Sequence, residues 1–220
     1  MNPQILLVDD HPIVRQGIRR LIEQEPGLDV CGEAEDAHEA CSLIEELQPD
    51  LVLLDLSLKT TSGFDLILDV KARWPDVLIL VLSMYNEETY AERVLRAGAS
   101  GYVMKQEAPR KVIKAIRAVL GGSIFVSDAV SAAILMNMTG KRSAATPIDS
   151  LSDRELQVYQ MIGEGLTHRE IAEKLMLSVK TIESHVEHIK AKMGIGSGRE
   201  LLKQAIEWVV RQHSSPPPPG

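Results

Sequence analysis

Five short apolar runs punctuate the first 121 residues, at 5–8, 28–31, 51–54, 77–82 and 101–104. The run at 51–54 shows no alternation of apolar with polar positions, which is the pattern of a strand buried on both faces. Between the runs, apolar residues recur at helical spacing. Ile13, Ile18, Leu21 and Ile22 mark a first helix, with Pro12 in its opening turn. Ala40, Leu43, Ile44 and Leu47 mark a second, which Pro49 ends, and Phe64, Ile67, Leu68 and Ala72 mark a third, up to Trp74 and Pro75. Tyr90, Val94, Leu95 and Ala97 mark a fourth, closed by Gly98; Val112, Ile113, Ile116, Val119 and Leu120 mark a fifth, between Pro109 and Gly121. Five strands alternating with five helices predict a parallel sheet covered on both faces.

The rhythm then changes. Residues 127–138, SDAVSAAILMNM, read as one more amphipathic helix, and 139–150, TGKRSAATPIDS, as a small, polar, Pro-interrupted linker. No strand pattern follows. Residues 150–213 predict four helices. Ser152 with Glu155 and Thr167 with Glu170 have capping-box spacing, Ser178 can open a third helix, and Gly163, Gly165, Gly194, Gly196 and Gly198 mark turns. The expected division is a domain at 1–121, a linker with a helix at 122–149, an all-α domain at 150–213 and a disordered tail, SSPPPPG, at 214–220.

Composition narrows the class. At 45% hydrophobic and 25% charged residues the chain is globular, and no apolar stretch approaches the ~18 residues of a membrane span. The opening MNPQILLVDD has no basic region ahead of its apolar residues, so it does not read as a secretory leader. Cys31 and Cys41 read as two reduced cytosolic thiols in preference to a disulfide. The net charge of −7 belongs to residues 1–121, whereas residues 150–213 carry nine charges of each sign. Bulk composition thus shows none of the basic excess expected of a nucleic-acid binder.

Open parallel sheets bind ligands at the carboxyl ends of their strands, beside the point where strand order reverses. At those ends stand Asp9 and Asp10 after the first strand, Asp55 after the third, Ser83 after the fourth and Lys105 after the fifth. Glu33, ending the second, is expected to lie apart. Three clustered carboxylates need a cation, and hard oxygen donors with no nearby Cys or His favour Mg²⁺. Metal, ammonium, hydroxyl and a nucleophilic carboxylate together suit phosphoryl transfer.

These residues, with Tyr102, resemble the receiver domain of two-component response regulators. The resemblance implies a flavodoxin-like (βα)5 fold and a phosphoacceptor, Asp55, that takes its phosphoryl group from a sensor histidine kinase. It also implies Mg²⁺ held by Asp10, Asp55 and the carbonyl of Ser57, with Asp9 assisting through water. Ser83 and Lys105 would grip the phosphoryl oxygens, and Tyr102 would follow Ser83 inward as a switch. Two positions depart from the usual pattern: Lys59 and Gln106 stand where many receivers have proline. Lys59 would place an extra cation at the pocket mouth.

Residues 151–195 resemble the LuxR-type helix-turn-helix through Leu151, Ser152, Glu155, Gly165, Glu170, Ile171, Ala172, Leu175, Ser178, Lys180, Thr181, Ile182, His185, Lys192 and Gly194. Together the two halves resemble the NarL/FixJ group of transcriptional regulators. The residue pattern agrees: in the helix from Val179, Ile182, Val186, Ile189 and Met193 form an apolar stripe. The opposite face carries Lys180, Ser184 and Glu187, with Glu183 at its flank. Thr167, His168, Lys180 and Thr181 at helix starts suit phosphate contacts, and Ser184, His185 and Glu187 face a groove. His185 and His188 lack a third partner for a metal site. The resemblance implies a cytoplasmic regulator that binds double-stranded DNA, forms a homodimer when phosphorylated and has RNA polymerase as a further candidate partner. It is not expected to be an enzyme. A phosphatase with an aspartyl nucleophile would need a second acid two residues after Asp55, where Ser57 stands. A phosphate-independent DNA binder would not need Asp10, Asp55 and Lys105 together.

Overall fold

The computed structural model describes residues 2–58, 62–138 and 146–213. The chain divides into two compact units, Met1–Met136 and Asn137–Gly220. Lys59 and the tail at 214–220 lie outside the described residues.

In the first unit, strands β1 (Gln4–Val8), β2 (Asp29–Ala34), β3 (Leu51–Leu54), β4 (Leu78–Ser83) and β5 (Gly101–Met104) alternate with helices α1 (Pro12–Glu23), α2 (Ala37–Leu47), α3 (Gly63–Arg73), α4 (Glu87–Arg96) and α5 (Ala108–Leu120). All strand pairs are parallel, in the order β2-β1-β3-β4-β5. This is the doubly wound, flavodoxin-like arrangement, with its order reversing between β1 and β3. Ile5 to Val8 and Leu51 to Leu54 are each at most 3% exposed, so both strands are buried on both faces.

Local chemistry ends the helices. Gln48, ahead of Pro49, caps α2 in the left-handed region at φ 47°, and the chain turns after α4 at Gly98, φ 107°. Gly63 opens α3 against the chain that leaves β3: a Cβ there would stand 2.5 Å from Leu56 Cα and 2.8 Å from the Asp55 carbonyl oxygen. Only glycine permits that approach.

Several expected faces are rotated. Ile13 is 85% exposed and Leu68 55% exposed. Five residues separate Ile13 from Ile18, which at 3.6 residues per turn places it about 140° away; Arg15, Ile18 and Ile22 form the buried stripe instead. In α3 the buried set is Phe64, Leu66, Ile67 and Val70. The second strand runs to Ala34, one residue past its expected end at Glu33.

After α5 the chain returns to the sheet edge. Phe125 bridges Gly101 in parallel; its N–H donates to the Ser100 carbonyl and its carbonyl accepts from the Tyr102 N–H. Helix α6 (Asp128–Met138) follows, preceded by Ser127, whose N–H donates to buried Glu87 at 2.6 Å. The helix exists as expected, but it is not amphipathic: Val130 is buried while Leu135 and Met136 are more than half exposed. A short 3-10 turn, Pro147–Ser150, forms inside the stretch expected as linker.

The second unit is all-helical: α7 (Asp153–Gly163), α8 (His168–Lys174), α9 (Val179–Met193) and α10 (Gly198–His213). Both capping boxes are formed, Ser152 with Glu155 and Thr167 with Glu170, and Ser178 caps α9. Helices α7 and α10 cross tightly. A Cβ on Gly163 would stand 2.5 Å from the Ala205 carbonyl oxygen, and Tyr159 packs on Trp208 with ring centres 5.6 Å apart. Ile182, Val186 and Ile189 of α9 are buried, and Met193 is half-buried.

Candidate functional site

The strand register builds the acidic site. Val8 pairs with Leu54, and the Asp55 N–H donates to the Val8 carbonyl at 2.8 Å, so Asp9 and Asp55 leave the sheet side by side. Ser83 pairs with Met104, which delivers Lys105 on the far side. Asp9, Asp10 and Asp55 are 6%, 5% and 2% exposed. Lys105 Nζ lies 2.6 Å from Asp9 Oδ2 and 2.7 Å from Asp55 Oδ2. Asp55 Oδ1 is buried and has no hydrogen-bond partner among the described residues.

Burial pushes the Asp55 carboxyl above its usual range, although Lys105 pulls the other way. Burial also opposes the Lys105 ammonium, but Asp55 and Asp9 more than offset it and hold Lys105 above its ordinary value. One ammonium thus serves two buried carboxylates, and the site remains short of positive charge. The donor set fits a divalent cation: one oxygen or nitrogen from each of Asp9, Asp10, His11 and Asp55 lies within 4.8 Å of the others.

His11 escaped the sequence reading, which placed no histidine near the pocket. Its Nδ1 is 2.7 Å from Asp10 Oδ1 and 3.3 Å from Asp9 Oδ1. Its position directly after the two aspartates was the available signal. Arg15 escaped it as well. This buried guanidinium donates to the Asp9 carbonyl and pairs with Glu33 at 3.0 Å and Glu35 at 2.7 Å. Glu33 stands outside the cluster of Asp9, Asp10 and Asp55, as expected from its strand, and pairs with Arg15 and Arg19 instead.

Ser83 is fully buried and its Oγ accepts from the Tyr85 N–H at 3.3 Å. Tyr102 is 1% exposed, and its hydroxyl donates to the Tyr85 carbonyl at 2.8 Å. Burial drives its phenol far above the ordinary value, opposed by a hydrogen bond with Ser83. The ring already occupies the inward position. Ser57 lies half-buried on the loop that leaves β3.

In the second unit, α8 and α9 are joined by a short turn through Met176, a non-glycine residue at φ 52°. Thr167, His168, Lys180, Ser184 and Glu187 are exposed, whereas Thr181 and His185 are half-buried. The Thr181 N–H and hydroxyl both engage Ser178, at 3.0 and 2.8 Å. Burial, aided by Arg154, holds the His185 imidazole below its ordinary value. Glu187 pairs with Lys190 at 2.7 Å, so it does not meet a phosphate as a bare anion. Lys192 turns back to the buried Glu155 of the capping box at 2.6 Å and ties α9 to the start of α7. Met176 and Val179, on the turn and at the start of α9, are 71% and 41% exposed.

A doubly wound domain with a buried Asp–Lys pocket, followed by a helix that presents polar residues after a short turn, defines a two-domain signalling regulator. Comparison with known proteins agrees. The response regulator receiver domain family matches residues 5–117, and the luxR family of bacterial regulatory proteins matches residues 149–205. The oxygen regulatory protein NreC of Staphylococcus carnosus is 35% identical over 93% of this chain and 97% of its own length. DegU of Brevibacillus brevis, a transcriptional regulatory protein, is 31% identical over 94% of each. Among solved structures, RcsB of Salmonella enterica serovar Typhimurium, bound to promoter rprA with the phosphomimetic BeF3⁻, is 32% identical over 94% of this chain and 99% of that chain, with a TM-score of 0.70. Another structure holds two RcsB dimers on two parallel DNAs.

The chain belongs to the NarL/FixJ family of two-component response regulators, DNA-binding regulators of transcription that join a receiver to a LuxR-type helix-turn-helix. The family is one of regulators, not of enzymes. Among the described residues no helix is long and apolar enough to cross a membrane.

Proposed function

We propose that a sensor histidine kinase phosphorylates Asp55 and that the aspartyl phosphate controls dimerisation and sequence-specific DNA binding in the cytoplasm. One observation carries this reading: Asp55 is a 2% exposed carboxylate with one oxygen on Lys105 and the other, Oδ1, without a hydrogen-bond partner among the described residues. In the transfer, Oδ1 attacks phosphorus in line with the P–N bond of the donor phosphohistidine. That bond breaks, and the leaving imidazole takes a proton. Lys105 and Ser83 meet the phosphoryl oxygens that arrive above Asp55. Mg²⁺, held by Asp10, Asp55 and the Ser57 carbonyl with Asp9 through water, would neutralise phosphoryl charge. Arg15 holds the Asp9 main chain, and Tyr102 and Tyr85 carry the state of Ser83 into the start of α4.

In the helical domain, at 150–213, Lys180, Thr181, Thr167 and His168 are assigned to phosphates, and Ser184, His185 and Glu187 to base edges. Support comes from the exposure of Thr167, His168, Lys180, Ser184 and Glu187 and from the family. A single copy with no excess positive charge binds DNA weakly, and a dimer doubles the contacts. RNA polymerase would be met by the regulator once it is on DNA.

Incubation with acetyl phosphate and Mg²⁺ tests the assignment. Intact mass should rise by one phosphoryl unit, and Asp55→Asn should abolish the gain. Equal labelling of both proteins would refute it.

A further inference from the structure

Helix N-caps favour Ser, Thr, Asp or Asn, whose side chains accept hydrogen bonds from the free N–H groups of the first turn. Helix α1 has His11 in that position, with no side-chain cap hydrogen bond and with proline following it. The backbone there is extended, φ −101° and ψ 105°, and the His11 N–H donates to Asp9 Oδ1 at 2.8 Å. The imidazole turns away from the helix and toward the carboxylates. A local rule broken at a functional site points to another use for the side chain.

The distances suggest which use. Neighbouring ligands of an octahedral cation with bonds of about 2.1 Å stand roughly 3.0 Å apart. Nδ1 of His11 lies 2.7 Å from Asp10 Oδ1 and 3.3 Å from Asp9 Oδ1, on either side of that spacing. All four donor groups fall within 4.8 Å of one another, and one oxygen of the 2% exposed Asp55 has no hydrogen-bond partner among the described residues. The ring is 62% exposed, so it sits on the solvent side of the site, where an arriving cation would meet it.

We propose that His11 is a direct nitrogen ligand of this metal site, so that the pocket binds borderline first-row cations such as Ni²⁺ and Co²⁺ more tightly than an all-oxygen pocket would. The proposal rests on the metal reading above and extends it. Carboxylates and water suit Mg²⁺ and Mn²⁺, whereas one imidazole raises affinity along the series toward Ni²⁺. Mg²⁺ still binds through the carboxylates, and His11 decides how far other cations displace it. Occupancy, and with it the phosphorylation rate, would then follow the ratio of transition metal to magnesium.

Pulsed electron paramagnetic resonance on the full chain loaded with Mn²⁺ tests this directly. The wild-type spectrum should show modulation from a coordinated ¹⁴N, absent in His11→Ala. Ni²⁺ affinity, measured by calorimetry, should fall about tenfold or more in His11→Ala, and by more than Mg²⁺ affinity falls. Asp10→Asn should remove Mn²⁺ from the pocket and so identify the site. Mn²⁺ that is bound in an Asp10-dependent way without nitrogen coupling would overturn the role of His11 and leave the acidic metal site standing. Mn²⁺ binding that ignores Asp10→Asn would overturn both.

Discussion

The carboxylates at the sheet edge and the polar face of α9 are both clusters of charge, yet one is buried and the other exposed. In the first, Asp9, Asp55 and Lys105 come from strands far apart in sequence and are fixed at 2.6 to 2.7 Å. In the second, Lys180, Ser184 and Glu187 are neighbours on one helix, and Glu187 is offset by Lys190. Burial makes the pocket stiff and sensitive to every member, because an unpaired charge there has no water to fall back on. Exposure makes the α9 face tolerant, since water screens each residue and only bound DNA makes its contacts matter.

Removing the shared cation should be the largest effect. Lys105→Met leaves two buried carboxylates without their common partner, and the receiver should lose about 3–5 kcal/mol. Urea unfolding of the full chain should show this as an earlier first transition, partly restored by Mg²⁺. Equal midpoints would mean that the pocket does not need the lysine to hold its shape.

The helical unit should respond less, and mainly to acid. Against the pull of burial, Lys192 and then Ser152 hold the Glu155 carboxyl below its usual range. A depressed carboxyl pKa stabilises the fold above the unfolded value, near 4.5, and that contribution is lost as pH falls through the folded value. Glu155→Gln should therefore cost about 1 kcal/mol at pH 7 and flatten the acid dependence below pH 4.5, as thermal melts across pH would show. A mutant curve parallel to wild type would remove Glu155 as the source.

The smallest changes are expected on the exposed face. Lys180→Ala should weaken all DNA sites alike and reduce the slope of log affinity against log salt by about 1. Glu187→Ala should instead change base preference. Anisotropy titrations on several sequences separate the two, and uniform weakening by both would erase the distinction.

The same contrast explains what could be read from sequence. Apolar runs ending in Asp9, Asp55 and Ser83 mark strand ends, and the rule for parallel sheets places those ends on one edge without further information. Capping boxes at Ser152 and Thr167 were equally plain because their partners lie three residues away. The phase of a helix was harder. Ile13 and Leu68 look like core residues but point to water, because an apolar side chain does not by itself report its angle to the sheet. Contacts across the fold were not legible at all: Arg15 on the Asp9 carbonyl, Glu87 on the Ser127 N–H and Lys192 on Glu155 each join segments that no local pattern pairs.

DNA affinity before and after acylphosphate mimicry tests the central claim most directly. The full chain, titrated onto sites selected from a random pool at one fixed salt concentration, should bind at least about tenfold tighter with Mg²⁺ and beryllofluoride, a gain of roughly 1.4 kcal/mol. Asp55→Asn should show no gain. Equal affinity in the two states of the wild type, or a gain that persists in Asp55→Asn, would contradict the account.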